Sequence, residues 1–259
     1  MKKVLNLISL NYKVYKKTII SWLIIITLIM FCYMILFPSL KEIGMAKLDA
    51  LPKEFLDIMG IDSLTEITKY DSYFNMMYQI IIIVISCFVA YLSHLMFRNE
   101  EDKKTINYLS NLDINRMHIF ISKYILSILI VIVTVISLIL VSLLCGYING
   151  KDSFHFIEVI KSGLITGFIP LLFISVSHLL VGISSKISSI TPLFIVLIIY
   201  MLGYLGILLD NDILINLSPF NVFKIDSSNL LLSFFIYFII TDLLNSIGLY
   251  KYIERDLSV

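Results

Sequence analysis

Apolar residues dominate long stretches of this 259-residue chain, and charged residues are concentrated in the segments between them. Five stretches of at least 19 residues contain no Asp, Glu, Lys or Arg: 18–36, 72–97, 124–148, 162–183 and 191–209. A sixth stretch, 229–250, is interrupted only by Asp242. Because about 20 helical residues cross a hydrocarbon core of about 30 Å, each stretch can span a membrane. The pattern predicts six transmembrane helices.

The composition supports this interpretation, since 59% of the residues are hydrophobic and the mean hydropathy is +0.94. In hydrocarbon the backbone must bond to itself, which leaves helices and closed barrels as spanning structures. The apolar stretches lack the alternation of barrel strands. The sequence therefore predicts an all-α membrane protein, with one transmembrane domain over residues 1–259.

Lysine and arginine are distributed unequally between the two sets of connecting segments. The set formed by 1–17, 98–123, 184–190 and 251–259 contains 13 of the 20 basic residues, and the opposite set contains 7. Positive charge is retained on the cytoplasmic side. We therefore expect a multi-pass protein of a bacterial cell membrane with both termini cytoplasmic; the high usage of Ile, Asn and Lys is typical of AT-rich bacteria.

The N-terminal segment 1–17 has helical spacing. Val4, Leu7, Ile8 and Val14 fall on one side of a helix, and lysines follow that can meet anionic headgroups,. This predicts an interfacial elbow helix that leads into the first span. An ordinary positively charged leader is the alternative, and the two interpretations are compatible.

The longest connecting segment, 37–71, also contains helical spacing. Ile43, Ala46 and Leu51 recur along one side before Pro52 begins a second turn,. We expect two short amphipathic helices here, on the outer surface after the first span.

The segment 98–123, between the second and third apolar stretches, is charged and compatible with a helix. Asn99 is a suitable N-cap, and acidic residues follow in the first turn, where the helix dipole favours them. Apolar residues then recur at three-residue spacing, at Ile106, Leu109 and Leu112,. The pattern predicts a helix with one apolar side available for docking. A solvated loop explains the pattern equally well.

The order of residues in this segment resembles a known family. Glu101, Thr105, Leu109, Arg116 and Lys123 follow the second span in the order found in the cytosolic coupling segment of type-2 ATP-binding cassette (ABC) transporter permeases. Two positions depart from that family, since Lys104 stands where glycine is usual and Asp113 where proline is usual. Three further stretches are similar to elements of the same family: 38–62, 217–226 and 250–257.

This resemblance implies the membrane subunit of an exporter, with a coupling helix that sits on a separate ATPase chain. It implies two ATPase copies per transporter and a second permease chain, identical or homologous. The residues that it assigns to ATPase coupling are Glu100, Glu101, Thr105, Ile106, Leu109, Leu112, Asp113, Arg116 and Lys123.

Three polar residues inside the predicted spans, Asp242, Asn245 and His178, are candidates for an intramembrane polar site. An ionised acid at the centre of a span costs about 3 kcal/mol on insertion scales, so Asp242 should face protein or a wet cavity unless it lies close to the cytosol. His178 either lines a path or bonds to a neighbouring helix. In the fourth span, close helix contact followed by a kink is predicted by Gly163, Gly167 and Pro170,.

Several chemistries have no sequence support. The one Gly-Lys pair, Gly150 and Lys151, is followed by Asp152 and is not a P-loop, so we expect the chain itself not to bind ATP,. It contains no histidine pair of a zinc protease and no nucleophile elbow. The three cysteines lie inside spans,. We expect no catalytic residue, metal or cofactor, and no nucleic-acid partner.

Two other classes of protein remain open at this level. One is a membrane-bound immunity, anchoring or signalling protein that transports nothing. The other is an ion-coupled carrier, for which internal repeats and several intramembrane acids would be typical. The identity of a transported substrate, whether peptide, toxin, drug, lipid or ion, does not follow from the sequence.

Overall fold

A computed structural model describes residues 2–39, 41, 69–102, 114–150, 153–184, 186–223 and 230–255. Within these ranges the chain is helical, with turns and no strand. The helices are α1 (Lys2–Ile35), α2 (Tyr70–Asp102), α3 (Arg116–Asn149), α4 (Phe156–Thr166), α5 (Ile169–Ile183), α6 (Thr191–Leu208), α7 (Asp212–Leu217), α8 (Pro219–Val222) and α9 (Leu230–Glu254).

Six helical units are long and apolar enough to cross a membrane, and each overlaps one predicted stretch. They are α1, α2, α3, the pair α4 and α5, α6, and α9. The prediction of six spanning helices in an all-α fold is thus confirmed for the described part of the chain. Residues 42–68, which contain most of the predicted outer helices, and residues 103–113 lie outside it.

The helix α1 continues without a break through the predicted elbow and the first span. This part of the chain contains no glycine or proline that would interrupt a helix,. Its buried side chains form one stripe that includes Leu7, Tyr15, Ile26 and Met34, and the stripe packs against α3. Residues 2–17 therefore form one continuous helix with the first span, and the interfacial position of this segment stays a prediction.

The most buried span is α2, which packs against α1, α3, α4, α5 and α6. Three tyrosines on α2 donate hydrogen bonds to backbone carbonyls of three neighbouring helical units. Tyr70 donates to Ser142 O in α3 at 2.5 Å, Tyr73 to Tyr33 O in α1 at 2.8 Å, and Tyr78 to Gly163 O in α4 at 3.0 Å. These bonds satisfy buried hydroxyls in an apolar environment and fix α2 among its neighbours.

The fourth span is broken between α4 and α5, at Gly167 and Phe168. A Cβ atom on Gly163 would lie 2.6 Å from Ile139, and one on Gly167 would lie 3.0 Å from Val135. The glycines therefore allow α4 to approach α3 closely, and Pro170 begins the new helix,. Both the close contact and the kink predicted for this span are present.

The last span, α9, is attached to α5 through a glycine contact. A Cβ atom on Gly248 would lie 2.9 Å from the backbone oxygen of His178, and Gly182 faces Gly248 from the other side. Backbone atoms cannot move aside as a flexible side chain can. This contact holds α9, whose remaining surface is mostly exposed, close to the bundle.

We expect Gly248→Leu to separate α5 from α9 and to destabilise the purified protein by about 1–3 kcal/mol, as overpacking of a close contact does. The measurement is thermal unfolding in a mild detergent. Ser246→Leu, which adds the same side chain at an exposed position of the same helix, is the matched control and should leave the unfolding temperature almost unchanged. Equal stability of the two variants would contradict the proposed role of the glycine contact.

Candidate functional site

Four spans and the start of α1 meet in one group of buried residues at the end where α2 ends and α3 begins. We call this group the helix-end cluster. Its apolar part consists of Leu7, Phe97, Ile119, Phe120, Val181 and Tyr252. Its charged part consists of Glu100, Glu101, Arg116, Lys123 and Arg255. The cluster thus combines the ends of α2, α5 and α9 with the starts of α1 and α3.

Lys123 of α3 is the central charged residue of the cluster, and its side chain is 0% exposed. Its ammonium lies 2.6 Å from Glu100 Oε2 and donates a hydrogen bond of 2.7 Å to Met96 O. It also lies 4.2 Å from the centre of the Phe97 ring. A buried charge is tolerated only when it is paired and hydrogen-bonded. The contacts of Lys123 therefore connect α3 firmly to the last turns of α2.

Arg255, directly after α9, forms the second ion pair of the cluster. Its guanidinium contacts the Glu101 carboxylate, and both side chains are nearly buried. The same guanidinium donates to the carbonyl of Val181 in α5. Arg116 at the start of α3 donates to Ile253 O at 3.0 Å and to the carbonyl of Arg255. The end of α9 is thereby bonded to α2, α3 and α5.

Aromatic rings surround His178 of α5, which is completely buried. The rings of Phe97, Phe120 and Tyr124 lie 5.2, 4.9 and 5.4 Å from its imidazole, measured between ring centroids. Its Nδ1 lies 3.2 Å from Asn245 Oδ1 of α9. His178 thus contributes to helix packing and bonds to a neighbouring helix.

Polar contacts extend the cluster to α1 and to the turn after α5. Asn99 donates a hydrogen bond of 2.9 Å to the Tyr15 hydroxyl of α1. Arg98 donates one of 2.9 Å to Ile187 O in the turn and also pairs with Asp102. Four successive residues in the last turns of α2, from Arg98 to Glu101, therefore bond to other parts of the chain.

The structure brings together four of the residues assigned to ATPase coupling: Glu100, Glu101, Arg116 and Lys123. The other five are Thr105, Ile106, Leu109, Leu112 and Asp113, which lie outside the described residues. The segment that contains them joins the end of α2 to the start of α3, so both of its ends are attached to the helix-end cluster.

The three candidates for an intramembrane polar site do not lie together in the structure. His178 and Asn245 lie together between α5 and α9. Asp242, one turn earlier on α9, is exposed on the surface of the single chain.

The sequence did not predict that Arg255 and Tyr252 would take part in the helix-end cluster. Their partners lie far away in sequence, since Arg255 contacts Glu101 and Tyr252 packs against Phe97 and Phe120. Spacing along α9 contains no signal for these contacts. The similarity of stretch 250–257 to the family's usual ending was the one indication that this end matters.

A second polar group lies at the opposite end of α2. His155 Nδ1 is 2.6 Å from Asp71 Oδ2, and the backbone nitrogen of His155 donates to the same carboxylate. The hydrogen bond and charge of Asp71 raise the pKa of the His155 imidazole,. With Glu158, these side chains place three potential metal-ligand atoms within 4.8 Å of one another. The Asp71–His155 pair fastens the start of α4 to the start of α2.

Taken together, the six helices long enough to span a membrane and the largely buried charged cluster at one end define a multi-pass membrane protein. The chain belongs to the family described as multidrug efflux system permease Rv1217c, C-terminal domain, whose model matches residues 6–239. Membership confirms the resemblance to ABC transporter permeases. No curated protein matches the chain.

We expect Glu100→Gln to destabilise the protein by about 3 kcal/mol, because it leaves the Lys123 ammonium buried without its carboxylate. Asp102→Asn removes the same charge two residues later, from an exposed pair that contributes little,. Thermal unfolding in detergent compares the two variants.

A double variant tests the cause of that loss. Glu100→Gln combined with Lys123→Met removes both charges and should recover most of the stability, since replacing a buried pair by apolar groups is often close to neutral. No recovery would show that Glu100 stabilises the cluster by some other contact.

Proposed function

We propose that this chain is the membrane-spanning permease subunit of an ABC exporter, and that residues 98–123 couple it to a separate ATPase subunit. The observation that carries the proposal is the helix-end cluster, which bonds both ends of this segment into the transmembrane bundle. Family membership supports the transport role. Hydrolysis of ATP then occurs in the partner chain, and this chain forms the translocation path.

The ion pairs of the cluster supply a route for the movement. When ATP binding closes two ATPase subunits, a coupling helix docked on them shifts with them. The Glu100–Lys123 pair transmits the shift to α2 and α3 together. The Glu101–Arg255 pair and the bond from Arg255 to Val181 extend it to α9 and α5. The shift changes the populations of inward-open and outward-open states.

The family description supports drugs as the transported class, moved outward across the cell membrane. Within a bilayer such molecules reach the permease from the hydrocarbon or from the cytosol. The bundle offers them apolar surfaces between spans and few intramembrane charges.

A second permease chain completes the transporter in this proposal. Asp242 lies at the middle of α9 and is exposed on the single chain. An ionised acid facing lipid at that depth costs about 3 kcal/mol on insertion scales. A second chain, identical or homologous, that packs over this face of α9 would shield the carboxylate, and two permeases above two ATPase subunits give the assembly its symmetry.

The proposal also fixes the side of each connection, with the helix-end cluster and both termini cytoplasmic. In a cysteine-free background, Glu158→Cys should react with an impermeant thiol reagent on intact cells. Lys186→Cys, in the turn next to the cluster, should react only after permeabilisation. The reverse pattern of labelling would overturn the orientation.

The coupling segment itself is tested by adding one charge to its apolar side. If Leu109 docks on the ATPase, Leu109→Glu buries an unpaired carboxylate at an interface, which costs several kcal/mol. Since about 1.4 kcal/mol is a factor of ten in affinity, we expect at least about a hundredfold weaker binding of the ATPase. The measurement is co-purification of the ATPase with the tagged permease, together with drug efflux from cells.

Two control variants sharpen the result. Asn111→Glu adds the same charge on the opposite side of the predicted helix and should retain the ATPase. Arg116→Glu should weaken the complex less than Leu109→Glu, because Arg116 bonds to the end of α9. Wild-type co-purification and efflux by Leu109→Glu would refute the coupling role.

A further inference from the structure

An open groove of about 480 Å³ runs between α1 and α3. Its volume lies within the range of about 300–1,000 Å³ that small-molecule sites occupy. The groove begins beside the helix-end cluster, where Leu7 of α1 is buried. It extends toward the point where Thr27 of α1 and Ser137 of α3 form a hydrogen bond of 3.2 Å.

The two ends of the groove differ in chemistry. The end farther from the terminus is lined by branched aliphatic side chains, which include Ile19 and Leu23 of α1 and Leu126 and Ile130 of α3. The end nearer the terminus is lined by Leu5 and Ile8 and adds the hydroxyl groups of Ser9 and Tyr12. An amphiphile with one polar end and a long apolar chain matches this arrangement.

Helix geometry places a positive charge between these two ends. The α1 residues that line the groove recur at three- and four-residue spacing, and the sequence Tyr12, Lys16, Ile19 and Leu23 continues that spacing,. Lys16 is exposed and lies on the groove side of α1. Helical side chains point toward the helix N-terminus, so its ammonium reaches toward the hydroxyl groups.

The positive charge of the surrounding segment favours a ligand with negative charge. Residues 1–17 contain five lysines and no acidic residue. Basic clusters on a helix at a membrane surface attract anionic lipids, at about 1 kcal/mol per basic residue. A cation would be repelled from this end of the groove, and a neutral amphiphile would gain nothing from Lys16.

We propose that the groove between α1 and α3 binds one anionic phospholipid. Its phosphate lies near Lys16, Ser9 and Tyr12, and one acyl chain lies along Ile19, Leu23 and Ile130. This proposal does not depend on the proposed transport function, because it uses only described residues of α1 and α3 in one chain. Since Tyr15 and Leu7 of the same helix contact the helix-end cluster, a bound lipid also supports the packing of α1 there.

The test is native mass spectrometry of the full chain in a mild detergent, after delipidation and titration with phosphatidylglycerol or phosphatidylcholine of the same acyl chains. We expect one phosphatidylglycerol per chain to be retained at concentrations where phosphatidylcholine is not. Lys16→Gln should lower phosphatidylglycerol binding at least about tenfold, which corresponds to about 1.4 kcal/mol. Lys17→Gln removes the same charge about 100° away on the helix and should change binding little.

A second pair of variants tests the groove itself. Ser9→Phe fills its polar end and should abolish the retained lipid, whereas Thr18→Phe, on the opposite face of α1, should not.

Equal effects of Lys16→Gln and Lys17→Gln would show general attraction to charge and overturn the site. A shift of oligomeric mass in Ser9→Phe without loss of lipid would assign the groove to a second chain. Displacement of the lipid by a cationic drug would assign it to substrate; either result would overturn the proposal.

Discussion

The buried ammonium of Lys123 is the constraint on which the rest of this structure depends. With its side chain 0% exposed, it would be intolerable in an apolar bundle without a carboxylate and an acceptor at hydrogen-bond distance,. Glu100 and the carbonyl of Met96 supply both, and they do so only if α2 and α3 meet at one relative height. A shift of one helical turn would separate the pair. The ion pair therefore fixes the register of the two helices that flank the proposed coupling segment.

The second ion pair has a different consequence, because it connects α2 to α9, two helices that scarcely pack against each other. The helix α9 has little of its surface buried and packs mainly on α5. At its end, Arg255 bonds to Glu101 and to Val181, and Arg116 bonds to the last carbonyls of the helix. Hydrogen bonds to charged groups are the stronger ones, at about 1.5–3 kcal/mol. These bonds join the ends of α2 and α9 directly at this end of the bundle.

The sequence predicted well what depends on local pattern and poorly what depends on contacts between distant residues. The spans were predictable because length and apolarity are properties of each stretch, and the kink because Gly167 and Pro170 act locally. The uninterrupted course of α1 through the predicted elbow follows from a sequence without a breaker, and the burial of the stripe from Leu7 onward depends on packing against α3. The pairing of Arg255 with Glu101 joins residues 154 positions apart, and no periodicity within one helix reports such a contact.

The distribution of burial differs between the central span and the outer spans, and it supports the second permease chain proposed above. The central span, α2, is mostly buried, and its tyrosine hydroxyls donate hydrogen bonds to backbone carbonyls of its neighbours. Little of its surface is left for contact with another chain. On α9 the exposed Asp242 needs a polar or hydrated environment at mid-span,, while on α1 helical spacing places the exposed Lys16 on the side of the groove,. In the proposals made above, a second chain covers the acid and an anionic headgroup meets the base. The two sides of the bundle are therefore suited to different neighbours.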